Sequence, residues 1–267
     1  MSREFLPGIY WIQECGPNRT GIVESVVHGD GDWYIEGREI HIPQNAYLFV
    51  GERTLLFDTL SPASRRQIVS EVKATLGGRP LDYLVVSHPD TPHAANTFAI
   101  LHEYPDATLV APKVGSTHAL YHLEDAMKVG PGDEIDLGGH LLRFHEATFL
   151  DAAISIWMTE ENSNMLLPVD WLGLPHMDGE CLKCADELES NITIDRLTEF
   201  HGRVFFWFQY VEVPKVVAEI DGLIRKFNPA IIAPAHGVVM RENCLQFMEL
   251  IKPVVEKIHR EGRIGVV

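Results

Sequence analysis

Cysteine is scarce in this chain: there are four, Cys15, Cys181, Cys184 and Cys244. So few cannot staple a fold of 267 residues, so a disulfide scaffold is excluded. Cys181-Leu-Lys-Cys184 is a single CxxC, without the second pair of a zinc knuckle or a thioredoxin-like setting. The cysteines are therefore read as free thiols, with redox or metal roles as the alternative. No apolar run approaches the roughly 18 residues of a membrane span. Met1 to Tyr10 lacks the basic start and apolar stretch of a signal peptide, so the expected location is cytoplasmic. Basic residues are also short, 22 Lys and Arg against 38 Asp and Glu, for a net charge of -16. That surface repels phosphate backbones and anionic membranes, so neither nucleic acid nor membrane is an expected partner. No linker, repeat or compositional break divides the chain, and residues 1–267 read as one domain.

What is present is a chain able to build a large core, with 46% hydrophobic residues. Short β-branched and aromatic runs predict strands at Tyr10 to Ile12, Gly21 to Val27, Asp32 to Glu36, Asn45 to Val50 and Leu55 to Asp58. Ile68, Val69, Val72 and Leu76 form one stripe, which predicts a helix over Pro62 to Leu76. Leu84 to Val86 reads as a strand covered on both faces. Then come a helix at Ala94 to Glu103, a strand at Ala107 to Ala111 and a helix at Val114 to Leu123. Further strands are expected around Ile135 to Phe144, Ile154 to Met158 and Met165 to Pro168. Helices are expected at Ala185 to Glu199, Val213 to Phe227 and Arg241 to Arg260, interrupted by a strand at Ala230 to Ile232. This order suits an α/β fold of two packed sheets with helices outside.

The chemistry-bearing segment is Ser87-His88-Pro89-Asp90-Thr91-Pro92-His93, at the end of an apolar strand. A loop there can turn His88, Asp90 and His93 into one cleft, and metals need such nitrogen and oxygen donors around a common point. One HxDxxH match is weak, and Asp90 could equally cap a helix that begins near Pro92. Its surroundings strengthen it. Asp58, Asp170 and His236 each follow an apolar strand. The plain alternatives are a turn residue at Asp170 and a loop residue at His236. His118, His122 and His201 have no such context and read as structural, while His176 is a candidate pocket residue.

The stretches "GIYWI", "AYLFVGERTLLFDTL", "LDYLVVSHPDTPHAAN", "VGPGDEIDLGGHLLRF", "LLPVDWLG" and "IIAPAHG" resemble the metallo-β-lactamase superfamily. The likeness is strongest to the diiron domain of flavodiiron proteins and runs from about Gly8 to Lys257. The flavodiiron signature is H-x-E-x-D-H, and Asp90 supplies a carboxylate at its third position. The resemblance implies an αββα sandwich of two mixed sheets. It assigns His88 and Asp90 to a first metal, His93 and His236 to a second, Asp170 as the bridge and Asp58 as a support for the metal loop. Pro92 stands where the family has an Asp ligand, so the second metal loses a donor. The family's middle His has its slot at Asp151, with His145 as the alternative, or at neither.

With Asp151, the first set is one imidazole and three carboxylates, which suits iron, with manganese or zinc as rivals. The resemblance implies two metal ions and binding or activation of O2, with NO as a further ligand, by a stand-alone oxidoreductase or an oxygen sensor. With no flavodoxin-like segment, no FMN is expected in this chain, and electrons would come from a separate electron-transfer protein. The resemblance leaves a homodimer open. The alternative is a metal-dependent hydrolase of an ester, lactone, thioester or amide.

Overall fold

The computed structural model describes residues 1–14, 40–113, 126–151 and 154–262. The strands expected at 21–27 and 32–36, the helix at 114–123 and His118 and His122 lie outside the described residues.

The chain opens with strands β1 (Ser2–Leu6) and β2 (Ile9–Glu14), then the short β3 (Ile40–His41), β4 (Gln44–Val50) and β5 (Thr54–Phe57). Helix α1 (Arg65–Leu76) leads to β6 (Tyr83–Val85), the helical turns α2 (Thr91–Ala94) and α3 (Thr97–Glu103), and β7 (Thr108–Pro112). Strands β8 (Met127–Val129), β9 (Glu134–Asp136), β10 (Leu141–Glu146), β11 (Ile156–Glu160), β12 (Met165–Leu167) and β13 (His176–Met177) follow. The chain then runs through α4 (Ile194–Val204), α5 (Val213–Phe227), β14 (Ile231–Ile232) and α6 (Cys244–Glu261).

Seven strands form one mixed sheet in the order β1-β2-β4-β5-β6-β7-β8, and five form a second in the order β14-β12-β11-β10-β9. The period-2 alternation of strands explains the layering. In β4, Tyr47 and Phe49 join the cluster between the sheets, while Ala46 and Leu48 join the cluster under α1. Leu55 and Phe57 against Leu56, and Val85 against Leu84, divide the same way. The stripe Ile68, Val72 and Leu76 of α1 covers that outer face. On the far side, Trp157 and Leu166 of the second sheet share a cluster with Ile220 of α5 and Ile251 of α6. The result is the αββα sandwich.

Three expectations need correction. The single strand over Ile135 to Phe144 is a hairpin, β9 and β10, because Gly138 at φ 67° and Gly139 at φ 122° turn the chain back. The helix over Ala185 to Glu199 is instead a 3-10 turn at Ala185–Glu187 and, later, α4, whose start is set by Thr193 accepting from the Arg196 N–H. The free-thiol reading holds for the buried Cys184 and Cys244 but not for Cys181, which is disulfide-bonded. No helix among the described residues is long and apolar enough to cross a membrane.

His201 is structural. Its Nδ1 donates to the Leu197 carbonyl at 2.9 Å, and Nε2 has no partner among the described residues. Burial pushes its pKa down to about 4. Above about pH 6.5 the ring is neutral whether the chain is folded or not. As pH falls from there toward 4, the unfolded chain gains a proton that the folded one refuses. The stability this residue contributes is therefore lost at up to about 1.4 kcal/mol per pH unit. His201→Asn, which keeps a donor near the Nδ1 position, should reduce the acid slope of denaturant unfolding free energy by about one proton.

Candidate metal centre

The centre lies where loops leave the carboxyl ends of β5, β6 and β12 and the segment after β14. β6 is three residues of parallel sheet with Leu84 and Val85 buried, and the chain then enters Ser87 and His88, both fully buried. His93 follows on the short turn α2 and is 2% exposed. Asp170 comes three residues after β12, and His236 four after β14. The parallel pairing of β12 with β14 sets these last two loops side by side.

Asp170 is the hub. Its Oδ1 lies 3.3 Å from His93 Nε2 and 3.1 Å from His236 Nε2. On the other side, His88 Nε2 is 2.9 Å from Asp151 Oδ1. The rings of His88 and His93 are 4.8 Å apart between centroids. Two sets of donor atoms converge closely enough to hold an ion each, His93, Asp170 and His236, and His88, Asp151 and Asp170. Asp170 belongs to both.

Burial opposes charge here, and the carboxylates and imidazoles overcome it together. Asp170 and Asp58 hold the buried His93 well above the ordinary imidazole pKa. His93 and the hydrogen bond from His236 hold Asp170 well below the usual carboxylate range. The hydrogen bond to Asp151 raises His88 against its own burial. A buried carboxylate needs such compensation, and so many donors around one point are also what a cation requires.

Outer partners prepare the two sets unequally. Asp58 Oδ2 accepts from His93 Nδ1 at 2.8 Å, and Asp58 is itself held by the N–H and hydroxyl of Ser87. His236 Nδ1 donates to the Pro43 carbonyl at 3.2 Å. Both bonds leave Nε2 aimed at Asp170, the arrangement by which proteins orient a metal-binding histidine. His88 differs: its Nδ1 accepts from the Asp90 N–H at 3.0 Å. The neutral ring then carries its proton on Nε2, where an ion would have to displace it. The donors thus fit two metal ions.

Of the six residues read from the sequence, His88, His93, Asp151, Asp170 and His236 are brought together. Asp90 is not. It occupies the N-cap of α2 with extended backbone, makes no side-chain cap bond and is 58% exposed, with Oδ1 3.9 Å from His88 Nδ1. Aspartate is one methylene shorter than the glutamate of the flavodiiron signature, and from this backbone it faces solvent. Asp90→Ala is therefore expected to change bound metal by less than about twofold and stability by no more than about 0.5 kcal/mol. Metal titration and denaturant unfolding would check both.

The alternative His145 lies on β10, bonded to Thr159 Oγ1 at 2.7 Å and packed on Phe227, outside both donor sets. His176 is buried beside His41 and belongs to a separate cluster. Trp171 is core, stacked on Trp157 at 5.1 Å. Sequence reading missed the brace behind α2. There Thr59 Oγ1 donates to the His93 carbonyl, and Asn96 Nδ2 donates to the carbonyls of Thr59 and Ser61. It also missed the role of Pro43. Thr59 and Asn96 stand in the quoted stretches, but only contact geometry marks them.

Residues 41–176 match the family model of the metallo-β-lactamase superfamily, just over half of the chain. The chain belongs to the metallo-β-lactamase superfamily. Among curated relatives it is 28% identical over 251 residues to a nitric oxide reductase of Moorella thermoacetica, covering 88% of this chain and 57% of that one. It is 26% identical over 265 residues to an anaerobic nitric oxide reductase flavorubredoxin of Escherichia coli, covering 92% and 53%. The flavodiiron protein from Giardia intestinalis superposes with a TM-score of 0.76 at 19% identity, over 98% of this chain and 60% of that one. Rubredoxin oxygen:oxidoreductase from Desulfovibrio gigas gives 0.74 at 19% identity, over 97% and 61%. The chain spans little more than half the length of the curated relatives it matches.

Proposed function

We propose that this chain is the dinuclear metal unit of a flavodiiron-type oxidoreductase that acts on O2 or NO. The observation that carries the reading is Asp170, one buried carboxylate shared by two sets of donors. The names and extent of the relatives support it. One ion would be held by His88, Asp151 and Asp170, the other by His93, Asp170 and His236. The donors are imidazole and carboxylate without thiolate, a set suited to iron more than to a thiol-seeking metal. Bound there, two irons would supply electrons and an open coordination position to a diatomic gas.

The protein's own residues do the positioning. Asp170 draws the two Nε2 atoms together, and Asp58 and Pro43 fix the ring orientations. Electrons would arrive from a redox partner. An oxygen sensor would use the same centre without turnover. We also read residues 1–267 as one domain, since one apolar cluster takes in the facing sides of both sheets.

Metal content of protein from iron-supplied cells tests the reading first, followed by gas consumption after chemical reduction. Two irons per chain with consumption of NO or O2 supports the oxidoreductase. Two irons with gas binding but no consumption selects the sensor. Zinc with cleavage of esters or lactones, or no bound metal at all, overturns the reading.

A further inference from the structure

A second cluster of donors sits on the two-stranded sheet and shares no residue with the sets around Asp170. β3 and β13 place His41 directly opposite His176, with ring centroids 5.1 Å apart. Both side chains are buried, at 2% and 0% exposure. Cys181 Sγ lies 3.5 Å from His41 Nδ1. One donor atom from each of the three residues falls within 4.8 Å of the others.

The details fit a ligand set. Two tetrahedral ligands at roughly 2.0 and 2.3 Å from zinc are about 3.5 Å apart, which matches the sulfur–nitrogen spacing. His176 Nδ1 donates to the Met177 carbonyl at 2.8 Å, so the ring carries its lone pair on Nε2. His41 Nε2 lies 3.4 Å from the Asp178 carboxylate, an ion-pair distance rather than a hydrogen bond, and Nδ1 faces the sulfur. A carbonyl or carboxylate on the remote nitrogen is the usual support of a metal-binding histidine. The turn that carries Cys181 is fixed by buried Glu180. Its carboxylate accepts from the N–H groups of Met177, Glu189 and Ser190 and from the Ser190 hydroxyl.

We propose that His41, His176 and Cys181 form a mononuclear site for zinc or a similar divalent ion, open only when the Cys181 disulfide is reduced. The disulfide sulfur is uncharged and does not ligate. A phosphine and one water convert the disulfide to two thiols and phosphine oxide. The Cys181 thiol then releases its proton as the ion binds. The bound set is one thiolate and two neutral imidazoles, with water in the fourth position. The inference does not depend on the flavodiiron reading, because the donor sets at Asp170 contain no sulfur among the described residues.

Cobalt(II) is the probe, added without oxygen to the full chain after phosphine reduction. A near-ultraviolet thiolate-to-cobalt charge-transfer band that saturates at one ion per chain is the expected result. The unreduced protein should give none. Cys181→Ser should abolish the band, His41→Gln or His176→Gln should weaken the binding that produces it at least tenfold, and Cys184→Ser should leave it in place. No band in the reduced chain, or a band that survives Cys181→Ser, overturns the proposal.

Discussion

Asp170→Ala is expected to release metal from both sets at once. The carboxylate is the only donor they share, so its loss leaves His93 and His236 on one side and His88 and Asp151 on the other. Two donors seldom retain a divalent ion against water. Removing only an outer partner of a ligand weakens binding by about 10- to 100-fold, and losing a charged ligand should exceed that at each position. The apoprotein should suffer as well. His93 Nε2 and His236 Nε2 lose the carboxylate between them, and a buried charge stripped of its partner destabilises by roughly 3–5 kcal/mol. His236→Ala should differ, emptying one position and sparing the other. Metal per chain by element-resolved mass spectrometry, with circular dichroism to verify folding, separates the cases. One ion retained by Asp170→Ala at wild-type affinity would mean that the two sets are not bridged there.

Much of this architecture was legible because it rests on periodicity. The alternation of β4 and β5 and the stripe of α1 specify which faces are buried, and the layers follow. The converging donors were legible where a polar residue closely follows an apolar strand, as at His88, Asp170 and His236. Counting between β10 and β11 favoured Asp151 over His145, and it is Asp151 that lies against His88. What could not be read was side-chain direction. Asp90 satisfies the motif, yet the extended backbone at the N-cap of α2 points it outward. Nor does sequence reveal the strained backbone that shapes the centre. Asp58, Leu60, Val169 and Leu172 all have φ between 57° and 65°, although none is glycine and one is β-branched. Such conformations cost of order 1–3 kcal/mol each and persist only where the surroundings impose them. They flank Thr59 and Asp170, where the chain must turn sharply enough to present a carboxylate or a brace.

The cluster at His41 was missed for a related reason. β3 and β13 are two residues each, too short for any pattern, and their pairing joins positions 135 apart in sequence, His41 and His176. CxxC drew attention to Cys181 and Cys184 as a pair. In the fold Cys184 is a buried free thiol whose pKa burial pushes up to about 11, while Cys181 faces His41.

Gly237→Ala is the substitution expected to damage the protein most for its size. Gly237 has φ of 96°, where an L side chain is strained before any contact is made. A Cβ there would lie 2.1 Å from the Leu174 carbonyl oxygen and 2.6 Å from the Leu174 N. Both are backbone atoms that no rotamer change can move. The segment cannot shift freely either. The Gly237 carbonyl accepts from Asn45 Nδ2 and Gln13 Nε2, and its N–H donates to Pro43. Relief of the clash must therefore break these bonds or push the 236–237 segment away from Leu174. Buried hydrogen bonds left unmade cost about 1–3 kcal/mol each, so a loss of at least about 3 kcal/mol in unfolding free energy is expected. Any protein that still folds should carry His236 away from Asp170 and the Pro43 carbonyl. Its metal content should then fall at the His93 and His236 position while the His88 position keeps its donors. Denaturant unfolding and metal titration of the same preparation test both halves. Wild-type stability together with full metal binding would mean that the contact between Gly237 and Leu174 does not hold His236 in place.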